Sequence, residues 1–289
     1  MSFKQVHTVP KLAVPIRLQE YGPGIFNLIA TKSALKKALK KQCITVNGLT
    51  ATTATYIKGG ETIEFLIPEQ NIKGKSFVFP LKVIFEDNHL AVISKPAGIL
   101  VSGNSFKTIA NALAQNIKTS ILEPQTVAQP VHRLDYGTTG LLLIGKTSTA
   151  IRRLNKMFEE GTINKSYFAV TIGEIKANGQ INLPIGKKVA TTYYKLIQSV
   201  SSRRYGRLNL VELWPQTGRR HQLRKHLSAI KSPILGDKEY GEHPMVLKGK
   251  GIYLHAHSLQ FIHPFTKETM ALRQALPEKF SKIFQITNN

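Results

Sequence analysis

The sequence predicts an α+β protein built on a mixed, mostly antiparallel sheet, with a smaller α/β unit at its N-terminal end. Helix-period and strand-period segments interleave along the 289 residues, without the regular strand–helix–strand repeat of a doubly wound fold. A polar stretch, Gln70-Asn71-Ile72-Lys73-Gly74-Lys75-Ser76, reads as a linker. It divides a first unit over residues 1–70 from a second over 81–289, with 71–80 between them, and two units suit a chain of this length. Hydrophobic residues at 42% provide enough apolar material for a core and exclude a wholly disordered chain.

In the first unit, the segment from Ile16 to Ile29 is a weak helix, because Gly22-Pro23-Gly24 interrupts it. Ser33 reads as the N-cap of a helix over Ala34 to Gln42. Ala34, Leu35, Ala38 and Leu39 recur at helical spacing, leaving Lys36, Lys37, Lys40 and Lys41 as a basic face. Ile44-Thr45-Val46 is a strand, and Asn47-Gly48 a tight turn. A second turn at Gly59-Gly60 leads into the alternating strand Thr62-Ile63-Glu64-Phe65.

In the second unit, Val83-Ile84-Phe85 and Leu90-Ala91-Val92-Ile93-Ser94 flank Glu86-Asp87-Asn88-His89 as a hairpin, closed by Lys95-Pro96-Ala97-Gly98. Thr108 to Lys118 reads as a helix, Leu141 to Ile144 as a buried strand, and Ala150 to Glu160 as a helix. Tyr167 to Ile172, Tyr193 to Ser199 and Leu208 to Leu213 are strands. Gln222 to Ser228 lies in a further helix whose start falls near Arg219.

Charge narrows the function. There are 40 Lys and Arg against 17 Asp and Glu, a net charge of +23. A globular chain so basic implies a polyanionic partner: RNA, DNA or an anionic membrane surface. The one cysteine, Cys43, excludes a disulfide framework and a cysteine-based zinc site within one chain. Met1 to Pro15 lacks the apolar core of a secretory signal, and no apolar run approaches the ~18 residues of a membrane helix. The expected location is cytoplasmic, with no membrane partner.

One motif is a false match. Gly140-Leu141-Leu142-Leu143-Ile144-Gly145-Lys146-Thr147 fits the phosphate-loop pattern letter for letter. A phosphate loop follows an apolar strand and keeps its middle residues open to cradle phosphate. Here the polar segment comes first and the four middle residues are themselves strand.

Two polar clusters can carry chemistry. Pro130-Val131-His132-Arg133-Leu134-Asp135-Tyr136-Gly137-Thr138-Thr139-Gly140 places a carboxylate beside an arginine and a histidine, in a turn leading into a buried strand. A carboxylate near a guanidinium is fit to act as nucleophile or base. The plain alternative is a turn in which Asp135 holds its own backbone. The second cluster is Thr217-Gly218-Arg219-Arg220-His221-Gln222-Leu223-Arg224-Lys225-His226-Leu227. Basic side chains at a helix N-terminus oppose its macrodipole, so a phosphate-rich ligand explains them better than helix stability does. His255-Ala256-His257, with His221 and His226, lacks a carboxylate at matching spacing, and no metal is expected.

Taken in order, these segments resemble the RluA family of RNA pseudouridine synthases over about residues 80–265. Glu86-Asp87, Lys95-Pro96-Ala97-Gly98, His132-Arg133-Leu134-Asp135, Lys165-Ser166-Tyr167-Phe168-Ala169, the arginine-rich cluster at 218–226 and Gly236-Asp237-Lys238-Glu239-Tyr240-Gly241 fall where that family has them. The family more often has Thr-Ser where Thr138-Thr139 stands. The N-terminal unit is similar to the small RNA-binding domain named after ribosomal protein S-four.

The resemblance implies the pseudouridine synthase fold and an isomerase. Such an enzyme cuts the bond from ribose to uracil nitrogen, turns the base and rejoins it through ring carbon 5. No cofactor is implied, since the reaction involves neither net redox change nor phosphate transfer. Asp135 would be the catalytic carboxylate, attacking the sugar, adding to the base or removing a ribose proton. Arg224 would pair with it and keep its pKa low. Tyr167 would stack on the target uracil and accept a proton, and Leu223 would line the other side. Arg133 would fill the stack vacated by the flipped uridine. His132, Arg219 and Arg220 would complete the substrate contacts, with Lys36, Lys37, Lys40 and Lys41 binding RNA on the N-terminal module. The expected partner is folded RNA, ribosomal in preference to transfer RNA, and the expected state a monomer. Two other readings remain at this stage: a non-catalytic RNA-binding or ribosome-assembly protein of the same fold, and a glycosylase that uses Asp135 and releases free base.

Overall fold

The structure, a computed structural model, describes residues 3–26, 28–29, 31–67, 77–122, 125–241 and 251–285. Residues 71–76 of the expected linker lie outside the described residues.

The first unit comprises β1 (Phe3–Thr8), β2 (Ile16–Arg17), α1 (Leu18–Tyr21), α2 (Lys32–Lys40), β3 (Ile44–Val46), β4 (Leu49–Thr50), β5 (Tyr56–Ile57) and β6 (Thr62–Ile67). A four-stranded sheet runs β1-β6-β3-β4, and β2 pairs with β5. Leu18, Leu35, Ile44, Ile57 and Ile63 form its buried centre. The weak first helix shrinks to the four residues of α1, because Pro23 has no N–H to continue it and Gly24 turns to φ +85°. The next helix starts earlier than Ala34 to Gln42. Thr31, not Ser33, is the N-cap, its hydroxyl accepting from Ala34 N–H at 3.1 Å. At the other end, Gln42 leaves helical geometry at φ +56°. Asn47 and Gly48 take φ +48° and +79°, the paired left-handed turn expected between β3 and β4.

The second unit holds β7 (Lys82–Glu86), β8 (Leu90–Lys95), α3 (Ile109–Ala112), β9 (Gln125–Pro130), β10 (Thr139–Thr147), α4 (Ser148–Glu160), β11 (Asn164–Ile172), β12 (Asn178–Ile181), β13 (Thr192–Ser202), β14 (Gly206–Pro215), α5 (Gln222–Ala229), β15 (Leu254–Ile262), β16 (Thr269–Arg273) and α6 (Glu278–Ser281). Ten strands form one sheet, ordered β12-β13-β14-β11-β15-β10-β8-β7, with β9 on β10 and β16 on β15. The β10–β15 pair is parallel and the other named pairings are antiparallel. The mixed α+β architecture with a mostly antiparallel sheet is thus the one the sequence predicts.

The apolar run of β10 is continuous because both its faces are covered. Leu141 and Leu143 pack with Ile151 and Leu154 of α4, whereas Leu142 and Ile144 join Ile93, Ile109 and Leu113 on the opposite face. A third core gathers β11, β14, α5 and Phe280 of α6. The helix expected over Thr108 to Lys118 is shorter: α3 tightens into a 3-10 turn at Leu113–Gln115. There the Asn116 side chain takes the carbonyls of Ala112 and Phe79 and competes with further helix.

The false phosphate loop resolves as expected. Gly140 to Thr147 lies within β10, and Lys146 is buried in an ion pair with Glu86 at 2.6 Å. No group of three or more potential metal ligands occurs among the described residues. No helix among them is long and apolar enough to cross a membrane.

Candidate active site

The loop between β9 and β10 carries Asp135. Its backbone is fixed from below by Lys95, a fully buried lysine at the end of β8. Lys95 Nζ donates to the carbonyls of Thr138 at 2.8 Å, Pro96 at 2.9 Å and Tyr136 at 3.3 Å. Burial lowers the Lys95 pKa to about 8, partly offset by the charge of Asp135. Gly98 N–H adds a bond to the Tyr136 carbonyl, and Thr138 N–H closes a turn on the Asp135 carbonyl. At the loop's far end, Gly140 takes φ +117°, and a Cβ there would stand 2.2 Å from the Ala256 carbonyl oxygen. Only glycine fits where β10 meets β15 so closely.

The carboxylate of Asp135 does not hold its own turn. It faces Arg224 Nη1 at 3.6 Å and His221 Nε2 at 3.8 Å, both beyond hydrogen-bonding distance. These two residues come from the second basic cluster. The helix there begins at Gln222, not near Arg219, because His221 takes the left-handed φ of +56°. Gln222 organises the preceding loop: its side-chain oxygen accepts from Arg219 N–H and the Thr217 hydroxyl, and its amide donates to the Thr191 carbonyl. Arg219 and Arg220 therefore precede the helix and do not occupy its first turn, so the macrodipole argument does not apply to them.

Arg224 is in the first turn, and its charge is matched there. Asp237, whose side chain is 1% exposed, accepts from Nε at 2.7 Å and from Nη2 at 2.8 Å, and Glu239 accepts from Nη2 at 3.1 Å. Burial opposes the guanidinium charge, but Asp237, with Asp135 and Glu239, more than offsets it and holds the pKa above its ordinary value. Asp237 is buried as well, and the hydrogen bond from Arg224 brings its pKa below the usual carboxylate range. Gly236, at φ +83°, admits the close approach of the Gly251 carbonyl beside it.

An open cleft of about 880 Å³ runs from this cluster. Asp135, Tyr167 and Leu223 line it together, with Arg133, Arg219 and Arg220 along its walls. Arg133 and Arg220 are exposed. Tyr167, on β11, is pushed above its ordinary pKa by burial and by the charge of Asp135. His132 lines the cleft too, but its Nε2 accepts from Leu143 N–H at 2.9 Å. Burial, and then the charge of Lys165, lowers its pKa to about 3 and keeps it neutral. The structure therefore brings together residues 80 or more positions apart in sequence. Lys36, Lys37 and Lys40 sit elsewhere, exposed along α2, with Lys41 exposed at its C-cap.

Sequence reasoning left Lys95, Gln222 and Asp237 without a role, although the motifs of all three had been singled out. The available signal was local: a lysine next to Pro96, and an aspartate following a glycine 13 positions after Arg224.

The fold matches solved structures of one class. A human RNA pseudouridylate synthase domain-containing protein (number 4 of its series) superposes with a TM-score of 0.57 at 25% identity, over 69% of this chain and 90% of that one. Residues 89–229 match the RNA pseudouridylate synthase family. Ribosomal large subunit pseudouridine synthase D of Nitrosomonas europaea is 30% identical over 98% of this chain and 87% of its own length. Ribosomal large subunit pseudouridine synthase C of Rickettsia prowazekii is 32% identical over 94% and 97%. The chain belongs to the RNA pseudouridine synthase family, enzymes that isomerise uridine within RNA.

Proposed function

We propose that this chain converts specific uridines of large-subunit ribosomal RNA to pseudouridine, with Asp135 as the catalytic carboxylate. The observation that carries this reading is the position of Asp135 in the basic cleft. The Arg224 guanidinium stands 3.6 Å away and the His221 ring nitrogen 3.8 Å away, and no hydrogen bond among the described residues occupies its carboxylate. Attack on the sugar, addition to the base and removal of a ribose proton all require that freedom.

The target uridine flips from its stack into the cleft, a cost of a few kcal/mol that phosphate contacts offset. Arg133 fills the vacated stack. Tyr167 packs on the uracil ring and Leu223 closes the opposite side. The N1–C1′ bond breaks, the base turns, and C5 bonds to C1′. The proton on C5 is then lost while N1 gains one. The raised pKa of Tyr167 keeps its phenol protonated at neutral pH, so it relays a proton and does not begin as a phenolate base. Arg219 and Arg220 contact flanking phosphates, while His132 holds the loop against β10.

The N-terminal unit, residues 1–70, acts as an RNA-binding module of the ribosomal protein S-four type, with Lys36, Lys37, Lys40 and Lys41 facing phosphate. Residues 81–289 form the catalytic domain. The protein acts as a cytoplasmic monomer.

Carbodiimide labelling and reverse transcription of RNA from cells with and without the gene tests this. One or a few stops in large-subunit RNA should vanish in the knockout and return with wild type but not with Asp135→Asn. Stops confined to transfer RNA would reassign the substrate. Unchanged stops everywhere would favour a non-catalytic RNA-binding protein.

A further inference from the structure

Lys165 is a lysine without an acid. It lies on β11 two residues before Tyr167, and both residues line the cleft that contains Asp135. Among the described residues its ammonium enters no hydrogen bond or ion pair. The ring of Phe158 lies beside it, 5.5 Å from Nζ to the centroid. Burial lowers its pKa with no carboxylate offsetting the effect. The acids lining the cleft form no ion pair with it: Asp135 faces Arg224 and His221, Glu159 is exposed, and Glu160 pairs with Lys156 at 3.6 Å. His132, whose pKa burial and then the charge of Lys165 lower, is neutral and offers no counter-charge. Lys165 is half-buried, so its ammonium is partly withdrawn from water without a counter-charge, a cost that a ligand supplying the anion relieves.

We propose that Lys165 is a phosphate subsite. It binds the phosphodiester of the flipped nucleotide and so fixes the ribose relative to Asp135 and Tyr167. The inference rests on reading this cleft as the uridine site. It adds a specific assignment, since a single ammonium on the β11 wall, and not the exposed arginines of the rim, neutralises the target nucleotide's own phosphate. The Phe158 ring, 5.5 Å from Nζ, contributes a cation–π contact when the site is empty.

The test uses the full chain with uridine, uridine 5′-monophosphate, uridine 3′-monophosphate and cytidine as probes, followed by nuclear magnetic resonance titration. Wild type should bind one of the two monophosphates about tenfold to a hundredfold more tightly than uridine, the range of a hydrogen bond to a charged group. Lys165→Met should erase that preference and Lys165→Arg should keep most of it. Lys165→Met should also raise the melting temperature, because it removes an uncompensated half-buried charge, whereas a lysine serving only structure would leave the variant less stable. In RNA binding, the slope of log affinity against log salt should fall by about one in Lys165→Met. An undiminished monophosphate preference in Lys165→Met would overturn the assignment while leaving the uridine site intact. Uridine bound no better than cytidine by wild type would instead remove the uridine site itself, and this subsite with it.

Discussion

Replacing Asp237 by asparagine isolates what holds Arg224. Asparagine keeps the size and the side-chain oxygen that accepts from the N–H groups of Glu239 at 3.0 Å and Tyr240 at 3.1 Å, so the local turn survives. It loses the negative charge and one acceptor for the guanidinium. The Asp237 and Arg224 side chains are 1% and 11% exposed, so the change leaves a buried cation short of its principal partner. Breaking a buried pair from one side costs about 3–5 kcal/mol. Glu239, still 3.1 Å from Nη2 but 53% exposed, compensates in part and sets the lower end, about 3 kcal/mol. At about 2–4 °C per kcal/mol for a protein of this size class, the melting temperature should fall by about 6–12 °C. Arg224 should also swing toward Asp135 and close into hydrogen bonds with it, lowering kcat at least tenfold with little change in RNA affinity. Thermal melts and single-turnover release of tritium from uridine labelled at C5 measure the two effects. The double variant Asp237→Asn with Arg224→Met should recover part of the lost stability, because the orphaned charge is gone. A single variant within about 0.5 kcal/mol of wild type, or a strictly additive double variant, would refute the reasoning.

Gly140→Ala should destabilise by at least about 3 kcal/mol or prevent folding, since its Cβ would press on the Ala256 carbonyl and its φ is left-handed; urea denaturation measures this. With His132 lowered to about 3 and His255 to about 4 by burial, the unfolded state binds more protons below about pH 6.5. Stability should therefore fall as pH drops from about 6.5 toward 4, by up to about 1.4 kcal/mol per pH unit for each histidine. His132→Gln, which keeps an acceptor for Leu143 N–H, should flatten that slope in melts across pH. Lys95 has the same sign at higher pH. Because its folded pKa is about 8, stability should rise between about pH 8 and 10.4, and Lys95→Met should reduce that rise, leaving the part that Lys279 contributes, while slowing tritium release, as the Asp135 loop loses three bonds.

The elements legible in the sequence were those fixed by local periodicity and turn chemistry. The hairpin of β7 and β8 was readable because Asp87 sits between two apolar runs, where it accepts from His89 and Leu90 N–H at 2.7 Å each. The Asn47-Gly48 turn declared its positive φ angles. Helix starts were less legible because a cap is a competition between neighbours: Thr31 and Ser33 are equally suitable residues, and tertiary packing of Leu35 and Leu39 decides which turn comes first. His221 hid its position for a related reason, since nothing in its side chain requires φ +56°. That angle follows from Gln222 drawing the preceding loop toward Thr191 on the next wall. In the site, residues carrying family motifs were found, but not the partner that holds them. Arg224 was expected to pair with Asp135, and it does so at 3.6 Å, but its shorter hydrogen bonds go to Asp237.

That division of partners has a chemical reason. Were Arg224 bonded in parallel to Asp135, both carboxylate oxygens would be engaged and desolvated before substrate arrived, leaving no lone pair directed at a sugar, a base or a proton. Were Arg224 unbound, its half-buried charge would be unstable and its position undefined. Asp237 resolves the conflict by taking Nε and Nη2, which leaves Nη1 aimed at Asp135 from 3.6 Å. At that distance the guanidinium supplies electrostatic stabilisation without occupying the oxygens. His221 adds a second nitrogen at 3.8 Å and is itself tied through Nδ1 to the Tyr240 hydroxyl at 2.9 Å. The segment from Gly236 to Tyr240 thus works at one remove. It touches Asp135 nowhere in these pairings, yet it sets how far Arg224 and His221 stand from it, and that separation keeps the carboxylate available for chemistry.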